Sequence, residues 1–311
     1  MTATADEASP RAHSVGAQST GRYLKERLIR LGFVAAGVSS IVIVGLIFLF
    51  LLKDGLPFLA DYSVWSFLGG LSWAPVSSVP KFGLVPILSG TLAVTAIAIV
   101  LAMPVSVGAA LYLSEVAHPR EREIVKPFIE VLAGIPSVVM GFFGYVVLGQ
   151  AVKAVFHAEV EHNALTGGLV LALMAIPTIV TVSEDAMRSV PRQFREASLA
   201  LGASRWETAW RVVLPASASG VTAATMLGLG RAVGETMAML MCTGNAPAIP
   251  TSLLQPVRTM TATIASEMGE VAYGSPHYHA LFMVGVILFL VTLLINSAAR
   301  KVIGRFQFKG Q

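Results

Sequence analysis

The sequence predicts an all-α fold, a polytopic membrane helix bundle with six transmembrane helices. Three observations support this prediction. The 311 residues are 55% hydrophobic, with a mean hydropathy of +0.72, and only 13% of them are charged, whereas soluble domains carry about 25% charged residues. The charged residues are clustered, which leaves long uncharged windows. Lys and Arg also concentrate in alternate loops, as the positive-inside rule requires of membrane proteins.

The uncharged windows define the spans. Residues 31–52 contain no charged side chain, and at 1.5 Å per residue they can cross about 30 Å of hydrocarbon. The same reasoning predicts spans at about 31–52, 87–113, 131–152, 163–183, 216–241 and 280–299. Residues 1–21 are rich in Ala, Ser, Thr and Gly without apolar periodicity, which predicts a disordered cytoplasmic tail. The transmembrane domain then covers 22–311, with a polar loop at 184–215.

The distribution of basic residues predicts the orientation. Six spans place both termini on one side, together with the 115–130 and 184–215 loops. That side holds 17 Lys and Arg residues, and the opposite loops hold 4. By the positive-inside rule, both termini and the 184–215 loop are therefore predicted to be cytoplasmic. The net charge of +4 follows this topology and does not indicate nucleic-acid binding.

Several function classes are excluded by what the sequence lacks. The chain contains no Gly-Lys step and hence no P-loop, so we predict that it does not hydrolyse ATP itself. The single cysteine, Cys242, allows no internal disulfide and no Cys-based metal site. His277 and His279 have no third ligand in helical register. We therefore expect no metal, no cofactor and no catalytic residue.

The 195–215 segment is the longest stretch in the second half of the chain that is too rich in charged residues to lie in lipid. Its apolar residues recur at roughly helical period, which predicts an amphipathic helix on a water-facing loop. Such a helix packs on its own protein or lies in the headgroup region, or it lays its apolar face into a groove of a partner. The apolar residues are Leu199, Leu201, Ala203, Trp206, Ala209, Trp210 and Val213.

The order of residues in this segment resembles the EAA loop of ABC importer permeases. Glu196 and Ala197 are followed by Gly202 and then by Leu214 and Pro215, with Ser in place of the family's second Ala and Val in place of its Ile. The resemblance implies a type I ABC importer permease, in which this loop forms the coupling helix that docks into a cytoplasmic ATPase. Glycine suits the motif because a tight turn needs a residue that tolerates φ > 0.

The fifth predicted span contains two charged residues. Arg231 and Glu235 are separated by four positions, which would place them on one face of a continuous helix, and Thr236 follows. A charge inside the bilayer costs at least about 2.5 to 3.5 kcal/mol, so it must face a partner helix or a watery path. Two interpretations remain open. The pair neutralises itself and fixes helix packing, or Arg231 meets an anionic substrate while Glu235 holds or releases it.

The surrounding motifs resemble those of phosphate importer permeases, the PstC-type subunit in particular. They are G-R-A-V-G-E-T-M-A in the fifth span, G-I-P-S-V-V-M-G-F-F in the third, and the later A-S-E-M-G-E and T-L-L-I-N-S-A-A-R. The resemblance implies a multi-pass protein of the bacterial inner membrane. It also implies a PstA-type second permease, two PstB-type ATPase subunits, a periplasmic or lipid-anchored PstS-type phosphate-binding protein and membrane lipid as partners.

Alternatives remain at this stage. Another oxyanion is one, and an ion-gradient-driven secondary transporter is another, although that class usually shows internal repeats and none is visible here. Glu267 and Glu270 are expected on a short helix that faces the vestibule or a docked binding protein, or on a solvated turn. Ser89 and Thr91 open the second span, where hydroxyls bind an oxyanion or, more commonly, their own backbone.

Overall fold

A computed structural model describes residues 20–306. Residues 1–19 of the predicted disordered tail lie outside this range. The last two residues of that prediction, 20 and 21, belong instead to the first helix. The chain divides into two compact units, residues 1–50 and residues 51–311.

Fifteen α-helices and one two-stranded hairpin make up the described residues. The first elements are α1 (Thr20–Gly55), α2 (Phe58–Asp61), α3 (Val64–Gly69), β1 (Trp73–Ala74), β2 (Lys81–Phe82), α4 (Val85–Leu111) and α5 (Pro119–Gly134). They are followed by α6 (Ser137–Phe143), α7 (Gly149–Phe156), α8 (Ala164–Arg188), α9 (Arg192–Ala200), α10 (Arg205–Thr208) and α11 (Leu214–Ala216). The last are α12 (Ala218–Gly234), α13 (Met237–Cys242), α14 (Met260–Glu267) and α15 (Pro276–Phe306), and π-helical turns lie at Tyr112–Val116, Gly144–Leu148 and Ala209–Val213.

The described part of the first unit, residues 20–50, is the greater part of α1. Most of its large apolar side chains between residues 28 and 50 are exposed, among them Phe33 at 76% and Ile41 at 75%. A helix that is apolar on all sides and exposed suits a lipid environment.

Five helices in residues 20–306 are long and apolar enough to cross a membrane. The count rises to six if the helical stretches Arg205–Ala216 and Ala218–Gly234, which meet at 72°, are taken as one bent span. The five are Lys25–Asp61, Val85–Val116, Ser137–Phe156, Ala164–Arg188 and Pro276–Ala298.

The predicted start of the third span, at residue 131, is wrong. Residues 131–134 belong to α5, and the helical stretch long and apolar enough to cross a membrane begins at Ser137. The break lies at Ile135, which is extended (φ −65°, ψ 127°), because proline disfavours helical backbone in the residue before it, here before Pro136. Uncharged windows overlook such a break, since neither residue carries a charge.

The core of the second unit is built on α4 and α8, which form the most extensive helix pair. Helix α12 packs against both of them and against α15. Val94 and Ala98 on α4, Ile179 on α8 and Ala224 on α12 are each completely buried in this core.

A second buried cluster lies where α4 and α8 end. Leu111 and Met187 meet Ala209 and Val213 there, and all four are inaccessible to solvent. The polar 184–215 loop is therefore attached to the bundle through its own apolar residues.

The opposite loops are held by aromatic packing. β1 and β2 pair antiparallel, with Trp73 opposite Phe82. The Phe58 ring contacts the rings of Phe67 and Phe82 at centroid distances of 5.2 and 5.4 Å. Trp73 is 3% exposed, so it belongs to this cluster rather than to a lipid interface.

The backbone of Gly202 supplies the first testable prediction. Its φ is +86°, and a Cβ at this position would meet no atom within 4 Å. Gly202→Ala therefore adds backbone strain without a clash, at about 1 to 2 kcal/mol. We expect hydrogen exchange of the 200–205 amides to rise roughly tenfold. Gly108→Ala, which also meets no atom within 4 Å but lies in a helix, is the control. Equal exchange in both variants would contradict the prediction.

Candidate functional site

The fifth span is interrupted at its charged residues. Helix α12 ends at Gly234, Glu235 is extended (φ −68°, ψ 130°), and α13 begins at Met237. The prediction that Arg231 and Glu235 share a face of one continuous helix is therefore wrong. The four-residue spacing indicated a helical pair, but the backbone leaves the helix between the two residues.

Arg231 and Glu235 do not neutralise one another. Within residues 20–306, no ion pair or hydrogen bond joins their side chains, and Arg231 is exposed. It lies in the last turn of α12, where the helix dipole favours a cation. The Glu235 carboxylate instead accepts a hydrogen bond from the Ala238 amide at 3.4 Å, in the first turn of α13.

Two hydroxyls meet the backbone at this break. Thr236 donates to the carbonyl oxygen of Gly234 at 3.3 Å. Thr261, on α14, donates to the carbonyl oxygen of Glu235 at 2.7 Å. Side-chain hydrogen bonds therefore hold the backbone at the break. Arg231 lies on the α12 side of it, and the Glu235 carboxylate bonds the first turn of α13.

The small residues of α12 allow helix packing rather than an open path. A Cβ at Gly228 would lie 2.7 Å from the Ile179 side chain. Gly220 faces Ala186 in the same way, and Ala224 is fully buried. This face therefore packs against α8, whereas Arg231, in the turn after Gly228, is exposed.

The 195–215 segment is two helical stretches, α9 and the continuous stretch Arg205–Ala216 that begins with α10, rather than the single amphipathic helix predicted. Helix α9 ends at Ala200, and the chain turns at Gly202. Ser204 then caps α10 by accepting from the Glu207 amide at 3.2 Å, while the Glu207 carboxylate accepts from the Ser204 amide at 2.9 Å. Periodicity alone merged the two helices because their apolar residues continue the same pattern across the turn.

The apolar residues of this segment divide between two surfaces. Ala209 and Val213 are buried in the bundle. Leu201 is 89% exposed, and Trp206 and Trp210 are 58% and 54% exposed, with ring centroids 6.4 Å apart. Of the motif residues, Glu196, Ala197, Gly202 and Pro215 are exposed and Leu214 is half-buried.

Arg195 anchors α9 to the bundle. Its Nε and Nη2 donate to the two oxygens of Glu115 at 2.8 and 2.7 Å, and Nη2 also donates to the carbonyl oxygen of Met187 at 2.8 Å. Glu115 is 9% exposed and follows α4, and Met187 lies at the end of α8. The hydrogen bonds that Arg195 donates to Glu115 raise the pKa of Arg195, so this guanidinium stays charged.

A second buried carboxylate fixes the neighbouring helix. Glu184, at 2% exposure, is paired with Arg122, with Lys126 at 3.3 Å and with Arg188 at 3.9 Å. These cations lie on α5 and at the end of α8. The two carboxylates therefore tie α5 and α9 to the bundle at the same end of α8.

Sequence reasoning missed the roles of Glu115 and Glu184. For Glu184, the four-residue spacing to Arg188 was the one sequence signal that indicated an ion pair. For Glu115, nothing in the sequence indicates that Arg195 is its partner. Glu267 is also more than a solvated residue, because Arg258, Trp73 and His277 all bind its carboxylate.

The second-span hydroxyls bind backbone. Ser89 donates to the carbonyl oxygen of Pro86 at 2.9 Å, and Thr91 donates to that of Ile87 at 2.8 Å. These two hydroxyls were expected to bind either an oxyanion or their own backbone, and in the structure they donate to backbone carbonyls.

Comparison with known proteins identifies the class. The fold matches that of a bacterial alginate ABC transporter, crystallised with an alginate pentasaccharide-bound periplasmic protein, with a TM-score of 0.62. Sequence identity is 17%, and the match covers 92% of this chain and 99% of that one. The chain is thus an all-α integral membrane protein with the type I ABC importer permease fold.

Sequence relatives identify the family. Residues 104–307 match the family described as binding-protein-dependent transport system inner membrane component. The probable ABC transporter permease protein YqgH of Bacillus subtilis is 39% identical over 242 residues, covering 76% of this chain and 78% of that protein. The phosphate transport system permease protein PstC 1 of Mycobacterium tuberculosis is 40% identical over 246 residues, covering 72% and 73%. The chain belongs to this family of transport permeases.

The Arg195–Glu115 pair supplies the second prediction. Removing one partner of a buried pair costs about 3 to 5 kcal/mol, and somewhat less where part of the pair is exposed. We therefore expect Arg195→Ala to lower the thermal unfolding temperature of the purified protein more than the double variant with Glu115→Ala. Arg192→Ala, at an exposed position of the same helix, serves as the control. Strictly additive effects of the two substitutions would rule out the coupling.

Proposed function

We propose that this chain is the permease subunit of an ABC importer that moves inorganic phosphate into the cell. ATP hydrolysis by separate cytoplasmic subunits would drive the transport. The chain belongs to a family of binding-protein-dependent permeases, and relatives at about 40% identity are named as phosphate transport permeases. The structural observation that favours phosphate is Arg231, an exposed cation at a break in the fifth span.

The substrate path would pass the break between α12 and α13. An anion that leaves water needs a charge to offset its desolvation, and guanidinium offers planar, bidentate donors that fit a phosphate. Arg231 has no partner carboxylate among the described residues, so its donors are available. Glu235 and Thr236 would border the same path, the first opposing the anion electrostatically and the second offering a hydroxyl. Transporters commonly place substrate at such interrupted helices.

The 184–215 segment would couple the permease to the ATPase. Glu196, Ala197 and Gly202 lie on its exposed side, where a partner can reach them. Trp206 and Trp210 are large exposed aromatics, a residue type that often anchors protein interfaces. Motion of this segment would reach the bundle through Leu214 and Pro215, which lead directly into α12, and through the Arg195–Glu115 pair.

The partners follow from this assignment. A PstA-type permease would complete the path, two PstB-type ATPase subunits would bind the coupling segments, and a PstS-type binding protein would deliver phosphate from outside. With 17 basic residues on one side and 4 on the other, both termini would be cytoplasmic in a bacterial inner membrane. A different oxyanion could bind the same cation, Arg231. The transport assay described below distinguishes phosphate import from import of such an anion.

The third prediction tests the substrate role of Arg231. Because no buried carboxylate depends on it, we expect Arg231→Leu to reach the membrane at normal abundance. Phosphate uptake should fall at least about tenfold, since one charge-assisted contact contributes about 1.5 to 3 kcal/mol. Arg231→Lys keeps the charge but loses the planar fork, so we expect uptake to fall strongly here too.

Radiolabelled phosphate uptake, measured at matched membrane abundance, provides the readout. Lys81→Leu, which removes an exposed cation from β2, controls for a general charge effect. Competition with unlabelled arsenate and sulfate separates phosphate from other oxyanions. Normal uptake by Arg231→Leu would remove Arg231 from the path, and stronger competition by sulfate than by phosphate would overturn the substrate assignment.

The fourth prediction concerns orientation. In a Cys242→Ser background, a membrane-impermeant thiol reagent added outside should label cysteine at Lys81 or Tyr273. It should not label cysteine at Leu201 or Arg205 until the membrane is opened. All four positions are exposed, so access alone decides the result. Labelling of position 205 in intact cells would reverse the proposed topology.

A further inference from the structure

The carboxylate of Glu267 gathers three donors from separate parts of the chain. Arg258 donates from the preceding loop at 2.6 Å, and the Trp73 indole donates from β1 at 3.1 Å. The His277 ring nitrogen lies 2.8 Å from the second carboxylate oxygen, at the start of α15. Glu267 is the last residue of α14, so these contacts fix the carboxyl end of that helix.

The contacts are largely shielded from water. Glu267 is 15% exposed, Arg258 is 20% exposed and His277 is 17% exposed. Charge-assisted hydrogen bonds under such conditions are stronger and less screened than surface pairs. Glu267 also lines an open cavity of about 910 Å³, which Glu270 and Ser77 border as well.

The amino end of α14 is fixed to the interrupted span. The Met260 amide donates to the Thr91 hydroxyl on α4 at 2.9 Å. The Thr261 hydroxyl donates to the carbonyl oxygen of Glu235 at 2.7 Å. At eight residues, α14 is about 12 Å long. A short, rigid helix thus connects the cavity at Glu267 with the break at Glu235.

We propose that Glu267 is a positioning residue for transport, which acts through α14 on the backbone break at Glu235. The effect of Glu267 on transport rests on the proposed function. Its effect on the backbone at Glu235 does not depend on what the protein transports. The helical hydrogen bonds are interrupted at the break, and the Thr261 hydroxyl supplies a hydrogen bond to the Glu235 carbonyl oxygen there. Glu267 holds the far end of the helix that positions Thr261. A binding protein that docks at the cavity beside Glu267 and displaces this residue would therefore shift α14, and with it the backbone at Glu235.

Hydrogen exchange in the assembled complex tests the structural part directly. Glu267→Gln keeps the shape of the side chain and removes the charge that Arg258 and His277 face. We expect exchange at residues 234–238 to rise roughly fivefold to tenfold, the factor that corresponds to losing one hydrogen bond. A local role alone would change exchange only around 258–277. Glu270→Gln, which borders the same cavity from an exposed position, is the matched control.

A second variant tests the opposite end of α14. Thr261→Val removes the hydroxyl that bonds the Glu235 carbonyl and leaves Glu267 intact. The same rise at 234–238 is expected, and combining it with Glu267→Gln should add little. If Glu267→Gln does not assemble, Glu267→Asp keeps the charge with a shorter reach and should give an intermediate rise. Unchanged exchange at 234–238 in Thr261→Val and in whichever Glu267 variant assembles overturns the proposal.

Transport separates this inference from the assignment of substrate. For Glu267→Gln we expect the maximal rate of phosphate uptake to fall about tenfold at unchanged basal ATPase activity, with little change in KM. The Glu270→Gln control should retain the wild-type rate. A raised KM at full maximal rate would place Glu267 in binding rather than positioning and would overturn the proposal. If the wild-type complex transports another oxyanion, the exchange result still decides the role of Glu267 and the proposed substrate alone fails.

Discussion

A helix that is interrupted inside a membrane leaves backbone groups that lipid cannot satisfy. The break between α12 and α13 meets this constraint with side chains and backbone from its surroundings. The Glu235 carbonyl accepts from Thr261 at 2.7 Å, and the Glu235 amide remains 3.4 Å from the carbonyl of Ala232. The Glu235 carboxylate begins the hydrogen bonding of α13. The helix therefore ends without leaving the Glu235 carbonyl unbonded, and α14 supplies that bond through Thr261.

The same break explains the state of Arg231. In a continuous helix, Glu235 would stand one turn beyond the arginine and neutralise it. Because the backbone turns extended at Glu235, the two charges separate toward opposite helix ends, where each is favoured by the local dipole. In the proposed transport role, the unpaired arginine would be available to a passing anion, whereas a paired arginine would first have to exchange its partner. Interruption of the helix thus leaves Arg231 exposed and without an ion pair to Glu235.

Hydropathy predicted most of the fold, because lipid imposes a length and a composition that can be counted along the chain. Gly202 was also predictable, since its motif requires a turn and glycine tolerates the observed φ of +86°. The break at Glu235 was not, because no proline marks it and its bonding partner is 26 residues away in sequence. Trp73 and Glu267, 194 residues apart, show the general reason. Contacts that depend on the folded bundle leave no local periodicity.

The two anchored ends of the molecule share one element. The Thr91 hydroxyl, near the beginning of α4, accepts a hydrogen bond from the Met260 amide, and Glu115, just beyond the end of α4, holds Arg195 of the 184–215 segment. Between these points α4 packs along α8 in the most extensive helix contact of the described residues. Close-packed helices transmit displacement because their interiors resist compression. In the proposed coupling, a movement of the 184–215 segment would reach α14 along α4, and with it the backbone on which Glu235 lies, without requiring the fifth span to move as one rigid rod.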